Sequence, residues 1–265
     1  MSTTQSYSNY DALQVELMSD GVVLATLDRP ERLNAFNGGM RHSIRALLHQ
    51  VRDDKNARAL VITGAGRGFC SGADLTTEDR RTWPTEVYEP QFAWNLDLLH
   101  MPKPTIAAVN GVAAGGGLGL AFLCDIRICS TEARLLPLWL KRAIHPDDLV
   151  TWTLPRLVGY SRALKWMYLG DDIPLEEAKS SGLVSDVVPG DKLMEVTLEL
   201  ASQLAKGPTA HYSLAKQSVL MGLNRTPWDA VLMESWGQQK IRTFEDTEEG
   251  GKAFREQRAP EFKGQ

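Results

Sequence analysis

Five glycines within nine residues constrain this 265-residue chain more than any other feature. They lie in the run Asn110-Gly111-Val112-Ala113-Ala114-Gly115-Gly116-Gly117-Leu118-Gly119. A glycine at a helix start costs about 0.5–1 kcal/mol relative to alanine, so the run indicates that another group comes very close to this backbone. Two interpretations fit: tight packing of a helix on a neighbour, or a ligand oxygen held by bare N–H groups at a helix N-terminus. The run matches neither the dinucleotide nor the phosphate-loop glycine pattern.

A second glycine-rich loop, residues 64–75, follows the predicted strand 59–63. Two strand ends that each present unobstructed backbone amides are the parts of an oxyanion hole. A thioester carbonyl that gains negative charge needs one N–H from each loop, with no side chain between them. The two loops therefore predict a site for a carbonyl oxygen.

Periodicity along the chain predicts an α/β fold. Alternating residues in 13–17 and 22–27 indicate a hairpin, and an apolar stripe predicts a helix over 41–51. Strands are expected at 105–109 and 125–129, and a helix at 86–99. The order strand, glycine loop, helix occurs twice, which predicts repeated ββα units over residues 1–200.

The last part of the chain is different, because helix follows helix from about residue 191. We predict a separate helical region over residues 201–265. Thr226 and Asp229 frame Pro227 in the pattern of a helix N-terminus. The apolar residues that follow at helical spacing form either core or an oligomer contact: Trp228, Val231, Leu232 and Trp236.

Composition excludes several classes of protein. The formal net charge of −4 leaves no basic excess for binding nucleic acid. The uncharged stretch 105–124 is interrupted by its glycines and Asn110, so we expect no membrane span. Three cysteines without a CxxC pair predict no metal site and reduced thiols. The N-terminus lacks the pattern of a secretory signal, so we expect a cytoplasmic protein.

At several points in order along the chain, the sequence resembles the crotonase, or enoyl-CoA hydratase/isomerase, superfamily. The matching segments are residues 27–35, the loop 69–75, Met101-Pro102-Lys103-Pro104 with the glycine run, Cys124-Asp125 and Leu157-Val158-Gly159. The resemblance implies a spiral of ββα repeats with a C-terminal helical trimerisation region. It also implies an acyl-CoA thioester substrate and a homotrimer or a hexamer of paired trimers.

The resemblance places functional roles on particular residues. The oxyanion donors of the family fall on Ala73 and Gly116. Its coenzyme A contacts, which come partly from the backbone, fall near Arg32, Leu33, Asp74 and Leu75. Coenzyme A is then part of the substrate, and no permanently bound cofactor is expected.

The sequence departs from the family pattern at the acids. The two glutamates with which family hydratases add water fall on Gly119 and Trp139. Relatives without these glutamates include isomerases with a single acid at the position of Asp147. A ring-opening diketone hydrolase branch places its aspartate one residue later, at Asp148.

A local resemblance to 4-chlorobenzoyl-CoA dehalogenases covers the run 110–119 and the pair Trp139 and Asp147. In those enzymes the aspartate attacks the aromatic ring and the indole binds the carboxylate. Their histidine, which activates water, falls on Phe92 here, and this weakens the interpretation.

These residues therefore predict an enoyl-CoA isomerase or hydratase in which Asp147 moves a proton and Trp139 shapes or binds that acid. The alternatives are a hydrolase or dehalogenase that uses Asp147 or Asp148, and a non-catalytic acyl-CoA binder. Both aspartates could instead cap a helix beginning near residue 149. Weaker candidates are a base at His145, a thiol at Cys70 and an acyl pocket lined by Trp83, Tyr88 and Trp94.

Overall fold

The structure is a computed structural model that describes residues 7–76, 92 and 94–265. Within these residues the strands are β1 (Leu13–Leu17), β2 (Val22–Leu27), β3 (Ala59–Gly64), β4 (Gly68–Cys70), β5 (Thr105–Val109), β6 (Val112–Ala114), β7 (Ile126–Ser130), β8 (Arg134–Leu136) and β9 (Asp186–Val188). A larger sheet has the order β1-β2-β3-β5-β7-β9, and a smaller sheet has the order β4-β6-β8. Among the described strands, β1 and β2 form the one antiparallel pair, and the other neighbouring strands are parallel.

The described helices are α1 (Gly38–Asp53), α2 (Trp94–Leu99), α3 (Gly116–Leu123), α4 (Val150–Val158), α5 (Tyr160–Leu169), α6 (Leu175–Ser180), α7 (Leu193–Ala205), α8 (Thr209–Gly222), α9 (Pro227–Lys240) and α10 (Glu245–Glu256). Along the chain, β3-β4-α2 and β5-β6-α3 repeat one unit of strand, strand and helix. One strand of each unit joins the larger sheet and the other joins the smaller one. The α/β fold of ββα repeats predicted from the sequence is therefore confirmed.

The central parallel strands of the larger sheet, β3 and β5, are buried on both faces. One face packs in the main core against the smaller sheet and helices such as α1 and α3, and α7 covers the other through Leu193, Ala201 and Ala205. Strands covered on both sides carry continuous apolar runs, as β3 and β5 do. Since α7 spans Leu193–Ala205 and packs on the sheet, the proposed boundary at residue 200 falls inside a helix.

The element boundaries agree with the sequence prediction with a few differences. The hairpin pairs Leu13 with Leu27, as expected. The helix predicted over 41–51 begins earlier, at Gly38, because the Asn37 side chain accepts a hydrogen bond from the Met40 N–H and caps it. The strand predicted at 125–129 is β7, which begins and ends one residue later, at Ile126–Ser130. Of the helix predicted over 86–99, residues 94–99 are helical, and residues 86–91 and 93 lie outside the described residues.

The predicted start of α9 is confirmed as a capping box between Thr226 and Asp229. The apolar residues that follow this start do not belong to the core of the single chain: Trp228 is 69% exposed, Val231 48%, Leu232 52% and Trp236 47%.

None of the described helices has the length and apolar character needed to cross a membrane. The uncharged stretch 105–124 is divided among β5, β6 and α3.

At the glycine run, the two sheets and the helix α3 come into close contact. An added Cβ at Gly117 would overlap the backbone carbonyl of Cys70, and one at Gly111 would overlap the carbonyl of Arg67. Both obstacles are main-chain atoms that cannot rotate away. The tight packing predicted for this run is therefore present, with the strand β4 as the neighbour of α3.

We expect Gly117→Ala to lower the free energy of unfolding by about 1–3 kcal/mol, because the methyl group would push α3 away from β4. Gly222→Ala is the matched control, since an added Cβ at Gly222 meets no atom within 4 Å at the end of α8. That control should be neutral or slightly stabilising. Urea unfolding of both variants measures the difference, and equal effects would contradict the packing described here.

Candidate active site

The loop after β4 and the start of α3 lie side by side. An added Cβ at Gly72 would lie 2.7 Å from the Ala114 carbonyl oxygen and 3.1 Å from the Gly116 nitrogen. Ala73 follows Gly72 and forms an isolated parallel bridge with Phe36. The backbone segments that contain Ala73 and Gly116 are thus adjacent, and both residues line one cavity.

The amides of Ala73 and Gly116 have no acceptor among the hydrogen bonds of the described residues. In the bridge with Phe36, the neighbouring groups form the bonds: the Phe36 N–H donates to the Gly72 carbonyl, and the Asp74 N–H donates to the Phe36 carbonyl. Gly116 is the first residue of α3, where no intrahelical acceptor exists. No acceptor from the described part of the chain therefore occupies either donor.

The cavity brings the predicted acids to the predicted donors. Its lining includes residues from the 71–75 loop, the glycine run and the segment after β8: Ser71, Gly72, Ala73, Leu75, Ala114, Gly115, Gly116, Leu138, Trp139, Arg142, Ile144, Asp147 and Asp148. The Trp139 indole Nε1–H donates a hydrogen bond of 2.7 Å to Asp147 Oδ1. Trp139 is buried, so the indole fixes one edge of the Asp147 carboxylate within the cavity wall.

Asp148 is the more deeply buried of the two acids, at 1% exposure. Its Oδ1 accepts a hydrogen bond of 3.1 Å from Asn95 Nδ2, whereas its buried Oδ2 has no donor among the described residues. Burial raises the pKa of Asp148 to about 6; the charge of Asp147 adds to this, while Arg41 and the Asn95 amide oppose it. Desolvation therefore outweighs the stabilisation of the ionised form.

Two glycines of α3 provide the space that Asp148 occupies. An added Cβ at Gly119 would lie 2.7 Å from the Asp148 Cβ, and one at Gly116 would overlap Asp148 Oδ2. Asp148 itself has a positive φ of 49°, as does Leu149 at 58°. This left-handed pair turns the chain so that the carboxyl group points into the interior.

Helix capping does not explain the two acids. The residue before α4 is Leu149, which makes no side-chain capping hydrogen bond, and the first turn of α4 contains no acid. The capping alternative raised by the sequence is therefore wrong. His145 is exposed and does not line the cavity, and burial raises the pKa of the Cys70 thiol to about 12, which leaves it protonated at neutral pH.

The residues predicted to contact coenzyme A lie close to lining residues of this cavity. The Ser71 N–H donates to the Leu33 carbonyl, and the Ser71 hydroxyl donates to the Arg32 carbonyl. Leu75 is exposed and lines the cavity. The Asp74 carboxylate faces inward and pairs with Arg29 at 3.0 Å, so its side chain serves to hold the loop.

Sequence reasoning missed two buried polar residues next to Asp148. Asn95 lies on α2 and is fully buried, and Arg41 lies on α1 with its guanidinium 5.0 Å from the centre of the Phe36 ring. Arg41 precedes Ile44 and Leu48 by three and seven residues, so it lies on the apolar stripe of α1. A cation on an apolar stripe is the sequence signal that could have indicated a buried charge. Trp94 packs edge-on against Phe36, while Trp83 and Tyr88 lie outside the described residues.

Comparison with known proteins gives the family. The sequence model of the enoyl-CoA hydratase/isomerase family matches residues 18–265. The chain belongs to the enoyl-CoA hydratase/isomerase family. It is an enzyme of the crotonase superfamily, and among the described residues no group of three His, Cys, Asp or Glu side chains could hold a metal ion.

Individual members of this family are similar over nearly the whole chain. A probable enoyl-CoA hydratase from Rhodobacter capsulatus is 36% identical over 97% of this chain and 99% of its own length. The 1,2-epoxyphenylacetyl-CoA isomerase of Escherichia coli is 38% identical over 92% of this chain and 95% of its own. The crystal structure of an enoyl-CoA hydratase from Bacillus anthracis superposes with a TM-score of 0.88 at 32% identity, over 96% of this chain and all of that one.

In this family member, the Arg29–Asp74 pair is expected to hold the 71–75 loop in place. Burial opposes ionisation of Asp74, but hydrogen bonds from Thr76 and Arg29 outweigh it and keep the pKa of Asp74 below its usual value. We expect Asp74→Asn to lower the free energy of unfolding by about 1–3 kcal/mol at neutral pH.

The pH dependence has a defined sign. A carboxyl group with a depressed folded-state pKa stabilises the fold above its unfolded pKa of 3.8, and this stabilisation is lost as the pH falls through the folded value. Wild type and Asp74→Asn should therefore converge in acid. Asp53→Asn is the control, because Asp53 pairs with Arg52 on the surface and should have little effect. A difference that persists at low pH would contradict this account.

Proposed function

We propose that the protein catalyses double-bond isomerisation of an enoyl-CoA thioester, with Asp147 as the proton shuttle. The observation that supports this most directly is the cavity shared by Asp147 and the two free amides of Ala73 and Gly116. A carboxylate opposite an oxyanion hole is the arrangement needed to remove a proton next to a carbonyl group.

In the proposed reaction, the thioester oxygen accepts hydrogen bonds from Ala73 and Gly116. The Asp147 carboxylate takes a proton from the α-carbon, and the electron pair of that C–H bond moves into an enolate whose oxygen carries the charge. The protonated Asp147 then returns the proton to the γ-carbon. The double bond moves from the β,γ to the α,β position, and no atom is gained or lost.

Trp139 has a defined part in this proposal. Its N–H bond to Oδ1 of Asp147 fixes the position of the carboxylate in the cavity wall. Hydration remains the alternative within the family if one of the two aspartates orients a water molecule.

The same Trp139–Asp147 hydrogen bond supports a second candidate, hydrolytic dehalogenation of an aryl-CoA thioester. There the Asp147 carboxylate would attack the ring carbon and expel chloride, and water would hydrolyse the aryl ester. This second step needs a base, and the corresponding position is Phe92. We therefore rank this reaction below isomerisation.

We expect Asp147→Asn to lower the isomerisation rate by about 10²–10⁴-fold, because the amide cannot accept the α-proton. His145→Gln is the matched control two residues away, since His145 is exposed and outside the cavity. Crotonyl-CoA, a 3-enoyl-CoA and 4-chlorobenzoyl-CoA should be followed by chromatography and mass spectrometry, which separate isomers and detect added water or lost chloride. Binding of all three without conversion, in both wild type and Asp147→Asn, would indicate a non-catalytic binder.

We also propose that copies of this chain cover the exposed face of α9, giving a homotrimer or a hexamer. Trp228, Val231, Leu232 and Trp236 form an apolar face that is costly to leave in water. Trp228→Glu combined with Trp236→Glu should reduce the mass measured by light scattering to that of one chain. Gln238→Glu is the control for added charge on α9. A monomeric wild type would contradict the assembly.

Coenzyme A is proposed to enter as part of the substrate, near Arg32, Leu33, Asp74 and Leu75, without a permanently bound cofactor. The proposed steps use only a carboxyl group and backbone amides of this chain. We place the protein in the cytoplasm on the basis of its three cysteines, which are all free and buried.

A further inference from the structure

The two adjacent acids of the cavity differ in burial and in the hydrogen bonds that they accept. Asp147 lines the cavity and receives the permanent N–H donor of Trp139. Asp148 is almost fully buried and receives one donor, from Asn95, on Oδ1. Its Oδ2 lies against the backbone of Gly116, and no described residue donates to it.

Asp147 and Asp148 are consecutive residues that both line the cavity, and the charge of Asp147 helps to raise the pKa of Asp148. Two carboxylates are both acceptors, so a hydrogen bond between them forms only when one of them carries a proton. A buried acceptor that lacks a donor costs about 1–3 kcal/mol, and two charges held this close repel. A single proton between the groups removes both penalties.

We propose that Asp147 and Asp148 share one proton, which is carried by Oδ2 of Asp148 and donated to the Asp147 carboxylate. Asp148 then acts as a positioning residue that orients the Asp147 carboxyl group, while Trp139 holds its opposite edge. The role of Asp147 as the base rests on the proposed function, but the sharing of the proton does not.

Among the described residues, the charged and titratable groups around Asp148, apart from Asp147, come from the two elements α1 and β4. Arg41 of α1 favours the ionised form of Asp148, and the Cys70 thiol of β4 is neutral because burial raises its pKa to about 12. The glycines of α3 that face Asp148 carry no titratable group. Since burial still raises the pKa of Asp148 to about 6 against Arg41, the proton is retained more strongly in the folded chain than in the unfolded one.

The sign of the resulting pH dependence follows directly. Asp148 favours folding below its unfolded pKa of 3.8, and this contribution is lost as the pH rises through the folded value of about 6. The melting temperature of wild type minus that of Asp148→Asn should therefore decrease over this interval. Asparagine is a matched substitute, because it has the shape of the protonated acid and can donate to Asp147.

The decisive test measures how substitutions of two neighbouring residues shift the pH at the midpoint of that decrease in melting-temperature difference. In an Asp147→Asn background the midpoint should shift to lower pH, because the partner charge is gone and the amide can donate to an ionised Asp148. In an Asn95→Leu background it should shift to higher pH, because Asp148 loses its donor. A midpoint that Asp147→Asn leaves unchanged would show two independent carboxyl groups and would overturn the proposal.

An infrared titration of the carboxylic-acid C=O band provides the same information without a substitution at residue 148. Asp147→Asn should move the titration of the buried acid to lower pH, and an unmoved band would again overturn the proposal. Neither measurement uses turnover. Isomerase activity without proton sharing would contradict this inference alone. Proton sharing without isomerase activity would contradict the proposed function alone.

Discussion

The close approach of two main chains, α3 and the loop after β4, is the constraint on which the rest of this active site depends. Backbone atoms of Cys70 and Ala114 occupy the space that side chains at Gly117 and Gly72 would fill. The same proximity places the amides of Ala73 and Gly116 beside one cavity. The sequence offered tight packing and ligand binding as alternatives; the packing is present, and it also brings together the two amides that are proposed to bind the ligand.

This arrangement is supported by polar groups that hold the loops from behind. The buried Asn34 side chain donates to the carbonyls of Ala65 and Gly68 and accepts from the Arg29 N–H. Arg29 in turn binds the Asp74 carboxylate and the Ala35 carbonyl. Charge-assisted bonds of this kind are strong where water is excluded, so the loop that carries Ala73 is fixed before any ligand arrives.

Periodicity predicted the elements well but could not reveal how they meet. The hairpin and the buried strands follow from alternation and from β-branched runs, which depend on local chain geometry. The start of α1 was missed because Gly38 and Gly39 suggest a loop, whereas the Asn37 cap begins a helix there. Asn95 and Arg41 could not be linked to Asp148 from spacing, because three different segments bring them together. The burial of Asp148 depends on the left-handed turn at residues 148 and 149, and no motif marks that turn.

The glycine at position 119 and the buried Asp148 depend on each other, because Asp148 occupies the space that a side chain at position 119 would need. The resemblance to the family places a hydratase glutamate at position 119, but any side chain there would have its Cβ 2.7 Å from that of Asp148. A glutamate on α3 and the inward-facing Asp148 therefore exclude each other. The carboxyl group at this place comes from the turn before α4, beside Asp147 and far inside the protein. An acid in that position is shielded from bulk water, which supports the proposed isomerisation over the addition of a water molecule.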